Sequence, residues 1–123
     1  MAVNDVKTQL IDILSAYGYP VRLQGSFAPD EAYPQTFFTF WNGSSYGEHH
    51  YDNAPSFYSW NFSVYLYSTD PETVNTLLLS VKADLEQAGW IVAGKGFDAD
   101  SGEATHTGRG LDIIYMERED SSI

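Results

Sequence analysis

The sequence predicts an α+β domain, a mostly antiparallel sheet of four or five strands with two amphipathic helices packed on one face. Three observations predict it. Two stretches carry apolar residues at helical spacing, two aromatic runs alternate as strands do, and the elements follow the order α-β-β-β-α-β-β. At 123 residues the chain holds one domain with one core.

Asn4 and Asp5 offer a helix cap, followed by Val6, Leu10, Ile13, Leu14 and Tyr17 as one apolar stripe ending at Gly18. Pro20 forces extended backbone into a short strand, Val21 to Gln24. Gly25 to Pro34 reads as a loop, with residues 35–42 as the next strand and Gly43 to Pro55 as a long turn. From Phe57 to Tyr67 the alternation is clean. Tyr58, Trp60, Phe62, Val64 and Leu66 face the core, and Ser59, Asn61, Ser63, Tyr65 and Tyr67 face away.

The second helix has the clearest local signals. Asp70 caps it, Pro71 takes the first helical position, and Glu72 lies where the macrodipole favours an anion. Val74, Leu77, Leu78, Val81, Leu85 and Ala88 line one face, and Gly89 stops it. Trp90-Ile91-Val92 resumes a strand, and Gly94 to Gly102 reads as an acidic hairpin tip. Gly108-Arg109-Gly110 marks a bulge or a strand start. The last strand runs from Gly110 to Glu117 with Leu111, Ile113 and Tyr115 inward, and residues 117–123 read as a frayed acidic tail.

Thirteen of the nineteen aromatic residues lie between Tyr33 and Tyr67. In the first run Phe38 and Phe40 fall on one side and Phe37 and Trp41 on the other, so a single core cannot take all four. The excess calls for a ligand or another protein chain. By exposure, Trp41, Tyr65, Tyr67, Ile114 and Met116 are the candidate subunit interface.

Composition narrows the choice. Seventeen acidic against six scattered basic residues give a net charge of −11, which excludes a free-standing nucleic-acid binder and docking on an anionic membrane. The absence of cysteine excludes disulfides and thiolate metal sites. The start carries no basic segment ahead of an apolar run, and no run reaches the ~20 residues of a spanning helix, so no secretory signal and no membrane span are expected.

The residues yield no catalytic set, no cofactor site and no metal site. His49 and His50 are adjacent and point apart on extended chain, which leaves only a remote combination of His50, Asp52 and His106. Asp98-Ala99-Asp100-Ser101-Gly102-Glu103 starts like a calcium loop but fails at its fifth, sixth and twelfth positions. Gly94-Lys95-Gly96 lacks both the spacing and the following helix of a phosphate loop. No nucleophile elbow is present, and carboxylates on a loop tip keep ordinary acidity.

Several stretches together resemble a known family over about Tyr19 to Glu117. They are Tyr19-Pro20-Val21, Tyr33-Pro34, Phe37-Phe38-Thr39-Phe40-Trp41-Asn42, His50-Tyr51-Asp52-Asn53 and Trp60. Tyr67-Ser68-Thr69-Asp70-Pro71, Ala88-Gly89-Trp90, Gly94-Lys95-Gly96-Phe97-Asp98 and Thr105-His106-Thr107-Gly108-Arg109-Gly110 continue the series. In this order and spacing they resemble the tail-terminator, or tail-completion, proteins of tailed bacteriophages and prophages, similar in fold to the lambda-phage tail terminator.

The resemblance implies an α+β subunit of a hexameric ring that caps the tail tube and joins it to the head connector. It implies as partners further copies of the chain, the major tail tube protein and the connector proteins. The chain is then a virion protein of the neck, assembled in the host cytoplasm, without catalysis or cofactor. DNA would pass only as cargo, and Asp98, Asp100 and Glu103 are the candidate acidic loop lining the lumen, repelling phosphate. Connector stoppers and adaptors share this size and location. A different class remains open on the residues alone, a small-molecule-binding domain whose aromatics line a pocket.

Overall fold

In the computed structural model the described residues are 3–23, 32–48 and 56–119. The first helix, α1, spans Val3–Ser15, and the second, α2, spans Pro71–Gln87. The strands are β1 (Val21–Leu23), β2 (Thr36–Glu48), β3 (Ser56–Ser68), β4 (Ile91–Ala99) and β5 (Thr107–Glu119). They form one five-stranded sheet in the order β1-β2-β3-β5-β4. Strand β1 is parallel to β2, and every other pairing is antiparallel. The expected α+β class and element order hold.

Helix α1 buries Val6, Leu10 and Leu14, while α2 buries Val74, Leu78, Val81 and Leu85. Both stripes meet Phe38, Phe40, Trp60, Phe62, Val64, Leu66, Leu111 and Ile113 from the sheet in a single core. Asp70 caps α2 by accepting from the Glu72 N–H at 3.1 Å and the Thr73 hydroxyl at 2.9 Å. At the other end Gly89 takes φ +98°, and the Trp90 N–H returns to the Leu85 carbonyl at 2.9 Å. That turn ends the helix and drops Trp90 into the core.

Several boundaries differ from the sequence expectation. Helix α1 already begins at Val3, so Asn4 and Asp5 sit inside its first turn instead of capping it. The stretch from Gly43 to Glu48, expected as turn, continues β2 past a one-residue bulge between Asn42 and Ser45. The stretch from Gly94 to Ala99, expected as hairpin tip, is strand. It too passes through a bulge, between Ala93 and Phe97.

Strand β5 starts at Thr107, and Gly108 and Gly110 lie in unbroken register with β3. Its far end is ordered as well, because Glu117 to Glu119 pair with Ser56 to Tyr58, and no frayed tail begins at 117. Local composition marks glycine-rich and charged stretches as breaks. The 13-residue β3 overrides it by offering backbone partners on both sides. The expected loop from Gly25 to Pro34 and the candidate ligands His50 and Asp52 lie largely or wholly outside the described residues.

Candidate functional site

Both helices cover one face of the sheet, and the opposite face is open to inspection row by row. Pairing aligns Phe37, Tyr67, Gly108 and Ala99 across four strands, then Thr39, Tyr65, Gly110 and Phe97. The next row is Trp41, Ser63, Asp112 and Ala93, followed by Asn61, Ile114 and Ile91, and lastly Ser59 beside Met116. The two ends of this face differ.

The aromatic end is closed by its own chain. Phe37 is only 1% exposed and Tyr67 6%. Their rings stack at 5.2 Å, and Tyr33 and His106 meet Phe37 edge-on. The loop between β4 and β5 lies across the strand ends. His106 Nε2 donates to the Pro34 carbonyl at 2.9 Å, and its Nδ1 pairs with the Thr105 hydroxyl at 2.9 Å. The Tyr33 hydroxyl donates to the Ser101 carbonyl at 3.3 Å. Burial is the main cause that raises the Tyr67 phenol above its ordinary pKa, with a hydrogen bond from Thr39 acting the other way.

The excess aromatic surface is therefore smaller than the sequence suggested. A second small cluster on the far side of the sheet absorbs Phe37 and Tyr67. Of the candidate interface residues, Tyr67 has almost no surface left to offer, and Tyr65 is half-buried between Tyr67 and Phe97.

The other end is bare. Trp41 is 53% exposed and Ile91 55%, Met116 is exposed, and Ile114 is half-buried. Sequence reasoning singled out Trp41, Ile114 and Met116 but missed Ile91 and the exposed Phe97. Continuing the alternation of Trp90-Ile91-Val92 outward would have found Ile91. Phe97 was hidden by the glycines on its N-terminal side. A shallow depression of about 240 Å³ lies here, with Gly43, Asn61, Ser63, Ala93, Asp112 and Ile114 among its lining residues. Ser63 donates its hydroxyl to Asp112 Oδ1 at 2.8 Å across its floor.

Chemistry is sparse elsewhere. Among the described residues no three of His, Cys, Asp and Glu are grouped as a metal ion would need. A second hollow of about 330 Å³ lies between the helix ends, where Asp84 is already engaged by the Tyr17 hydroxyl. The three candidate lumen acids separate. Asp98 belongs to strand β4, where Arg109 Nη1 donates to it at 2.6 Å, while Asp100 and Glu103 stand exposed on the loop. Asp98 is thus a strand residue held by a cation, not part of a free acidic tip.

Among the described residues no helix is long and apolar enough to cross a membrane. No protein-family model matches the chain, and no curated protein matches it.

Proposed function

We propose that this chain is a structural protein of a phage or prophage neck, a subunit of a six-fold ring that caps the tail tube and joins it to the head connector. The observation that carries this reading is the bare half of the sheet face. It presents Ile91, Ile114 and Met116 on neighbouring strands β4 and β5, with Trp41 on β2 beyond Asn61 and Ser63, on a two-layer domain whose other sheet face packs on both helices. Exposed apolar groups set together in this way mark a protein contact, and tryptophan is a frequent anchor of such contacts. The order and spacing of the segments quoted above supply the link to tail terminators.

The small-molecule alternative gains little support. Ligand cavities run from roughly 300 to 1,000 Å³ and bury most of their ligand. The depression beside Asp112 is smaller, at about 240 Å³, and the hollow of about 330 Å³ between the helix ends reaches that size but is wide open to solvent, so it could not bury most of a ligand. The aromatic residues that were to line a pocket pack on one another instead.

Disrupting the gene in its phage should leave full heads and separate tails of uncontrolled length, as seen by electron microscopy. Purified wild-type protein added to such a lysate should restore joined particles, and Trp41→Asp, at an exposed site that leaves the core intact, should not. Joined virions of normal length without the gene product would end the proposal.

A further inference from the structure

We propose that the next copy of the chain in the ring sits on the bare half of the open face, presenting the bulged outer edge of its β4, with its Lys95 set against Asp112. The inference rests on the ring reading and assigns its copy-to-copy contact.

Charge selects the surface. Copies that each carry −11 repel one another, so they must meet where acids are few. Along the paired rows from Phe37 to Met116 Asp112 is the one charged residue, and only the row beyond them, Glu48, Phe57 and Arg118, adds charge to this face among the described residues. A contact that covers it strips water from a carboxylate whose described partner is the neutral Ser63 hydroxyl, and that is costly without a cation.

The chain supplies one. Of the five basic residues whose side chains are described, Lys82 pairs with Glu86, Arg109 pairs with Asp98, Lys7 lies over the Phe40 ring, and Arg22 is engaged within its own chain. Lys95 is exposed and, among the described residues, its ammonium meets no anion.

The edge geometry selects the mode. Strand β4 is the outer strand of the sheet. Between Ala93, opposite Asp112, and Phe97, opposite Gly110, three residues of β4 face one of β5. Gly94 and Gly96 take φ of 64° and 101° there. A bulge of this kind breaks the line of backbone donors and acceptors, so another strand cannot extend the sheet across it. Lys95 stands exposed at its centre, the middle of the three residues between Ala93 and Phe97. An edge set on a face uses two different patches, and such head-to-tail contacts give a ring where the rotation between copies closes.

The test compares wild type, Lys95→Glu, Asp112→Lys and an equal mixture of the two variants. Native mass spectrometry, with and without purified tail tubes, reads the assembly state. Circular dichroism and thermal melting check that each variant is folded. Each single reversal sets like charges together and should weaken ring formation roughly tenfold or more. The mixture should regain it. In an alternating ring the introduced glutamate meets the introduced lysine at one contact, and the native Lys95 meets the native Asp112 at the next. Rings that persist in both folded variants overturn the inference and leave the ring reading standing. Loss in both without recovery in the mixture overturns the Lys95–Asp112 pairing. A wild type that forms no ring, alone or on tubes, removes the ring reading and the inference with it.

Discussion

Two glycines in β5 owe their place to the rings that lie on them. A Cβ at Gly108 would come 2.6 Å from a Tyr67 ring carbon and 2.7 Å from the Ala99 carbonyl oxygen. One at Gly110 would come 2.7 Å from the Phe97 ring and 2.9 Å from Tyr65. The sites differ in what can yield. Tyr67 is hemmed in by Phe37, and the Ala99 carbonyl is backbone of the paired strand, whereas the three nearest atoms at Gly110 are all ring carbons, of exposed Phe97 and half-buried Tyr65, with no backbone among them. Gly108→Ala should therefore cost about 1–3 kcal/mol in urea unfolding, the range for overpacking a filled site. Gly110→Ala should come near neutral, since replacing glycine in a strand returns roughly 0.5–1 kcal/mol of backbone entropy. Equal effects at both sites would refute the distinction.

At the scale of elements, local chemistry decided what was legible in advance. Helix α2 could be read in full because Asp70, Pro71 and Gly89 fix its ends within a few residues of sequence. The lengths of β2 and β4 could not, because Gly43, Gly94 and Gly96 signal turns locally while distant partners hold them in strands. The same division runs through the candidate face. Alternation alone put Trp41, Ile114 and Met116 on its outer side, but no local signal shows that residues 100–106 fold back over Phe37 and Tyr67.

Nor does the sequence reveal the link between the helices, where the Tyr17 hydroxyl donates to the Asp84 carboxylate across 67 residues. Burial first, and then Asp84, push the Tyr17 phenol well above its ordinary pKa. Above about pH 10 the unfolded chain releases that proton while the folded chain keeps it, so stability falls as pH rises from there. Tyr17→Phe should flatten this alkaline slope in guanidinium titrations. A smaller slope should remain, because Tyr67 is shifted in the same direction. An unchanged slope would mean that neither burial nor Asp84 shifts the Tyr17 phenol in solution.

The whole molecule sets two electrostatic effects of opposite sign against each other during assembly. One is local, the proposed pair of Lys95 and Asp112 in each contact. The other is global, the meeting of copies that each carry −11. Salt acts on them unequally. The Debye length falls from about 10 Å at 0.1 M to about 3 Å at 1 M, which removes repulsion between exposed acids on separate subunits. A pair covered by Trp41 and Ile114 is screened far less, and the apolar part of the contact is not weakened by salt. Self-association should therefore strengthen as sodium chloride rises from ~0.02 to ~0.5 M, with screening as its cause. Sedimentation velocity at fixed protein concentration measures this directly. Association that weakens over the same range would show attraction between opposite charges to be the main force holding copies together, and the bare apolar face would lose its part as the seat of the contact.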